Sequence, residues 1–148
     1  MINQEKYPSG VTLVEIAVGI AVIVLLLGLV VPSYAMLRGS VALGNSAREL
    51  QSALRLAQNR STVSQDGIAH GVRIDANSYT LFGGSWATPT YTTVFSLPSG
   101  VTVTSGAGQT ILFTRLTGLP QAEQVIVLAA GSSSRTVQIG AGGLISLP

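Results

Sequence analysis

The sequence predicts an α+β fold: one long N-terminal helix, with a transmembrane half followed by an amphipathic half, packed on a small antiparallel β-sheet domain. Three observations carry this prediction. Residues Ile16 to Leu37 form a run of 22 without a charge, dominated by Val, Ile, Leu, Ala and Gly. Beyond that run, apolar residues recur at spacings of four and three as far as Ala57. From Ile68 the period drops to two, and Gly, Pro, Ser and Asn clusters interrupt the chain at short intervals.

The composition agrees. In 148 residues, 47% are hydrophobic and 9% charged, against roughly 25% charged in a typical soluble domain. With a mean hydropathy of +0.50, part of the chain is expected to lie out of water. A disordered chain is poor in apolar residues and rich in charge, so disorder is excluded. The absence of cysteine removes disulfides, thiolate metal sites and cysteine nucleophiles, and a single histidine removes multi-histidine metal sites. The formal net charge of +2 is too small an excess to argue for nucleic acid by itself.

As a helix at about 1.5 Å per residue, the charge-free run spans about 33 Å, which matches a bilayer core of roughly 30 Å. It is too long for the apolar core of a cleaved secretory signal, and no Ala-x-Ala-like site follows it. Residues 11–37 are therefore assigned to a transmembrane helix. Lys6 precedes the segment and Arg38 and Arg48 follow it. Basic residues near the ends thus mildly favour the cytoplasmic side for the C-terminal part. Glu15 stands at the lip of the apolar run. An ionisable group there costs a few kcal/mol unless it reaches the interface or meets a partner, although an anion in the first turn also complements the helix dipole.

Residues 38–64 continue the helix with an apolar stripe of Leu43, Ala47, Leu50, Leu54 and Ala57, the pattern of a helix packed on a sheet. Arg48, Arg55 and Arg60 fall mostly off the stripe and read as a solvated face. Gly39 and Gly44 each weaken the helix by about 1 kcal/mol relative to Ala, making a bend plausible there. The helix as a whole is expected from about Thr12 to Ser64. Residues 65–148 then form the β domain. Its strands are expected at residues 68–74, 79–82, 91–97, 101–104, 110–116, 124–130, 136–139 and 144–147, separated by turns such as Asp75-Ala76-Asn77-Ser78 and Gly131 to Ser134.

The N-terminal residues resemble a known pattern. A short polar leader ends in Gly10, followed by Val11-Thr12-Leu13-Val14-Glu15. About twenty apolar residues come next, with Pro32-Ser33-Tyr34 near their end. This resembles the type IV pilin class of prepilins. The remainder is similar, more loosely, to the minor pseudopilins of the GspH and FimT family, which carry a helix leading into a small β domain. That similarity rests on the helix Arg48 to Arg60 and on Gly71-Val72-Arg73-Ile74, Ile111-Leu112-Phe113-Thr114 and Val137-Gln138-Ile139-Gly140.

The resemblance implies a leader of residues 1–10, cut between Gly10 and Val11 by a membrane prepilin peptidase that also methylates the new amine of Val11. Val11 stands where pilins usually carry Phe. Glu15 is then expected to pair with the N-terminal amine of a neighbouring subunit, which gives a buried carboxylate its charge partner on assembly. Pro32 lacks the N–H that closes a helical turn and is expected to loosen the helix for assembly. Gly19 and Gly28 are expected to allow close helix approach. The partners implied are the peptidase, the membrane and other pilin or pseudopilin subunits, in a type II secretion pseudopilus or a type IV pilus. The implied location is the cytoplasmic membrane, crossed once, with the C-terminal domain extracytoplasmic.

No residue set points to catalysis, a cofactor or a metal. His70 with Asp66 or Asp75 and a serine makes a triad only on paper, and its place in the apolar alternation marks it as a core or sheet-edge residue. Gly140-Ala141-Gly142-Gly143 precedes a strand and lacks the lysine of a phosphate loop. Arg115 and Arg135 are the only basic residues near the C-terminus, so DNA binding is expected to be weak and salt-sensitive. The competing reading is a single-pass membrane anchor whose β domain binds an envelope partner, with Trp86, Tyr79 and Tyr91 as candidate surface aromatics.

Overall fold

The computed structural model describes residues 10–148, and residues 29–37 in their backbone only. Most of the expected leader and the side chain of Pro32 therefore lie outside the described residues. The chain divides into two compact units, the first ending at Met36 and the second running Leu37–Pro148.

Helix α1 covers Leu13–Thr62. Its start is set by Thr12, whose hydroxyl accepts a hydrogen bond from the Glu15 backbone N–H at 3.3 Å, the bond made by an N-cap residue. Thr12-Leu13-Val14-Glu15 has the Thr-x-x-Glu spacing of a capping box. The helical assignment continues through Pro32, Gly39 and Gly44. Among the described residues no helix is long and apolar enough to cross a membrane. The side chains of the expected span are described only as far as Gly28.

Within the second unit the apolar stripe behaves as its spacing predicts. Leu43, Ala47, Leu50, Leu54 and Ala57 are all buried and form one core cluster with residues of the β domain. After Thr62 the chain makes a tight 3-10 turn at Gln65–Gly67, with Ser64 and Asp66 in left-handed backbone.

Eight strands follow: β1 His70–Ile74, β2 Ser78–Gly84, β3 Pro89–Ser96, β4 Thr102–Ser105, β5 Thr110–Phe113, β6 Gln124–Ala130, β7 Ser133–Ile139 and β8 Ile145–Ser146. Each corresponds to one expected from the alternation. They do not form one sheet, however. They form two antiparallel sheets, ordered β3-β2-β1-β5 and β4-β6-β7-β8. Local alternation specifies which side of a strand is buried but not which strand it pairs with. The core lies between α1 and both sheets, with Val72, Ile74 and Leu81 from the first and Ile126, Leu128 and Val137 from the second.

Two boundaries differ for physical reasons. β5 ends at Phe113 because Thr114 N–H donates to Leu119 O and Gly118 N–H to Thr114 O, folding residues 114–119 into a turn with Leu116 at φ 70°. β7 begins at Ser133, earlier than expected, because Ser133, Ser134 and Arg135 are exposed and so carry no apolar alternation.

The expectation for the arginines off the helical stripe holds in part. Arg55 donates from Nη2 to Ile145 O at 3.2 Å, and Arg60 from Nη1 to Tyr91 Oη at 2.9 Å. Both fasten the helix to the β domain; Arg48 and Arg55 are exposed, as the solvated reading has them, and Arg60 is half-buried. Gln51 adds a bond to Ile145 O. Gln58 joins the helix to two loops through Gly118 O and Gly143 O.

Candidate functional site

The first candidate site is the N-terminal junction. Gly10 and Val11 are exposed, and nothing in the structure approaches the position of a Cβ on Gly10. Glu15 is exposed in the first turn, and its carboxylate makes no ion pair or hydrogen bond among the described residues. The large apolar side chains from Val11 to Leu27 are each more than half exposed, reaching 84% at Leu13, and they occur on every side of the helix. A helix that is apolar all round is stable only when covered. Covering these side chains is worth on the order of 10 kcal/mol. The described part of the first unit is thus an exposed apolar surface, with an anion at its start that has no partner among the described residues. Gly19 and Gly28 leave open space beside them on this helix.

The second candidate is the single histidine. His70 is buried, and its backbone is held by Ser61, whose hydroxyl accepts from His70 N–H and donates to His70 O. One ring nitrogen lies 2.7 Å from Tyr91 Oη and the other 3.1 Å from Gln65 O. A carbonyl only accepts, so Nε2 carries a proton and donates to Gln65 O, while Nδ1 and the tyrosine hydroxyl share the other bond. Tyr91 Oη in turn accepts from Arg60. Both ring nitrogens, the Ser61 hydroxyl and the Tyr91 hydroxyl have partners, and no bond joins Asp66 or Asp75 to the ring. The histidine is a bonded core residue, as its alternation indicates.

Other candidates do not converge. Arg115 donates to Gly67 O at 2.7 Å, while Arg135 is exposed elsewhere on β7. Among the described residues no group of three His, Asp or Glu stands close enough to hold a metal. Of the aromatics, Tyr79 is buried and stacks on Phe95 at 5.1 Å. Trp86 meets the edge of Phe82 and lies under the Arg73 guanidinium at 5.4 Å. Tyr79 and Phe82 are an odd number of residues apart on β2, so Tyr79 and Trp86 occupy opposite faces of the first sheet, while Tyr91, paired with Gly83, lies on the Tyr79 face and is engaged by His70 and Arg60.

Sequence reasoning missed a groove. Arg48, Glu49, Ser52, Ala53 and Leu56 of α1 face Tyr79, Leu81 and Phe95 across an open cavity of about 550 Å³. Burial, and after it the negative charge of Glu49, push the Tyr79 hydroxyl up to about 12. Of the lining residues, Arg48 had been assigned to the solvated face and Tyr79, Leu81 and Phe95 to strands, and no local signal shows that the helix stands apart from this end of β3.

Comparison with known proteins adds the fold. No family model matches the chain, and no curated protein matches it. Two solved structures of the minor pseudopilin EpsH from the type 2 secretion system of Vibrio cholerae are similar. One aligns over 72% of this chain and 95% of its own length, with a TM-score of 0.54 and 18% identity. The other covers 72% and 92%, with a TM-score of 0.52 and 17% identity. The chain has the fold of a minor pseudopilin.

Proposed function

We propose that this chain is a minor pseudopilin, a structural subunit rather than an enzyme, that joins other pseudopilin subunits in a type II secretion pseudopilus. The observation that carries the reading is the first unit: a helix apolar on every side as far as its side chains are described, opened by a carboxylate with no partner among the described residues, on a chain with the minor pseudopilin fold. In the free subunit residues 11–37 lie in the cytoplasmic membrane, with the β domain on the extracytoplasmic side. In the filament the same surface becomes the helical core, and the membrane and neighbouring helices serve in turn as its apolar environment.

In this reading the prepilin peptidase cuts after Gly10 and methylates Val11. Glycine suits the cut because no Cβ keeps catalytic groups from the backbone. Glu15 pairs with the Val11 amine of a neighbouring subunit. Pro32, unable to donate a helical hydrogen bond, lets the helix adapt when it leaves the bilayer.

Two variants test the reading in the native host. Gly10→Leu is expected to block maturation, and Glu15→Ala to leave maturation intact but reduce incorporation into filaments. Full function in both variants would favour the simple membrane anchor, which needs neither residue.

A further inference from the structure

We infer that the open edge of β3 receives an extended strand from a different subunit of the same assembly, an inference that rests on the reading of this chain as a filament subunit. β3 is the outer strand of the first sheet and, with eight residues, the longest strand. Leu97 N–H donates to Asn77 O, which makes 97↔77 a hydrogen-bonded pair. Alternation along the register then directs Phe95, Thr93 and Tyr91 to β2. The backbone N–H and C=O groups of Thr92 and Val94 therefore point away from the sheet, with no backbone partner among the described residues.

Natural sheets protect such edges with charge, proline or short length. β3 reads Pro-Thr-Tyr-Thr-Thr-Val-Phe-Ser and carries no charge, and its proline is at the first position. Val94 is 62% exposed. The opposite edge of the sheet is closed: Leu112 O accepts from Gln121 N–H, and Thr114 N–H donates to Leu119 O.

A second copy does not fit this edge. Along α1, Glu49 lies beside Tyr79, and Arg60 meets Tyr91, which pairs with Gly83. The helix thus advances in the direction of β2. Pairing two β3 edges about a two-fold axis would reverse one α1 against the other, whereas subunits anchored in one membrane need their helices to run the same way. The remaining edges of a second copy are short. β8 has two residues, and β4 has four, with Val103 N–H already bonded to Ala76 O.

The occupant's chemistry follows from the two sides of the edge. Alternate side chains of the incoming strand enter the groove beside Phe95, Tyr79 and Leu56, and so are apolar. Arg48 and Glu49, adjacent on α1 and in no ion pair among the described residues, stand at one end of the groove wall, so the end of the incoming strand nearest them carries charge of both signs. The side chains on the other side lie next to Thr92 and Val94 and are small or β-branched.

Amide hydrogen exchange on the full chain tests this, comparing the detergent-solubilised subunit with the same subunit in filaments from the native host. The Thr92 and Val94 amides are expected to exchange freely in the former and be protected in the latter. Val94→Lys is expected to keep the fold and the mature N-terminus yet lose incorporation, while Val94→Thr retains it. Equal exchange in both states, or normal incorporation of Val94→Lys, overturns the inference alone. A wild-type chain that matures or incorporates nowhere overturns the filament reading and the inference with it, and the mass of the N-terminus separates the two failures.

Discussion

Replacing Leu54 by Ala tests whether the second half of α1 is held by its stripe. Leu54 is fully buried at 0% exposure, in the cluster that joins α1 to both sheets. The change removes three carbons, worth about 2.4 kcal/mol at roughly 0.8 kcal/mol per buried group. A cavity term raises the expected loss to about 3–4 kcal/mol. Leu56 supplies the control, because it is the same residue two positions on but 42% exposed in the groove. Leu56→Ala is expected to cost less than about 1 kcal/mol. A domain the size of Leu37–Pro148 has a total stability of about 6–17 kcal/mol, so the first variant removes a large share and the second very little. Urea unfolding of the domain, followed by far-UV circular dichroism at constant slope, reads both values. Equal losses in the two variants would refute the assignment of the stripe as the packing face.

Other outcomes follow from single contacts. A Cβ on Gly71 would meet Ile111 O at 2.5 Å and the Phe82 ring at 2.7 Å. Backbone oxygen has no room to retreat, so Gly71→Ala is expected to destabilise by about 1–3 kcal/mol in thermal unfolding. Gln58→Leu removes the two bonds to Gly118 O and Gly143 O; about 2–4 kcal/mol is expected to be lost, since both glycines are buried and each carbonyl is left without its donor. Because the hydroxyl of Tyr79 is raised from 10.0 to about 12, its contribution to stability is fully present below pH 10 and is lost as pH rises toward 12. Glu49→Gln removes the smaller of the two causes and is expected to lower the Tyr79 midpoint, read by ultraviolet titration of tyrosinate.

Several features of the β domain were legible because they depend on local pattern. His70, Val72 and Ile74 alternate with Gly71 and Arg73, and that alternation places the histidine in the core. The stripe from Leu43 to Ala57 was legible for the same reason. The division into two sheets was not, since it depends on β4 pairing with β6 across some twenty residues of chain. The bonds of Arg55 and Arg60 were missed because a long side chain at the margin of a stripe reaches carbonyls and hydroxyls that only the tertiary fold brings near. The N-terminal site is proposed from Gly10, Val11 and Glu15 together, while the Thr12 cap lay in the same residues and was overlooked. The groove and the bare β3 edge had no sequence signal, because exposure of a strand's edge depends on where the sheet stops.

The mass of the mature N-terminus tests the central claim most directly. Intact-mass and N-terminal peptide spectrometry on protein extracted from its native membrane is expected to find a chain beginning at Val11, with one methyl group on its amine. A chain still beginning at Met1, in cells where the prepilin peptidase is active, would contradict the account and leave the plain membrane anchor in its place.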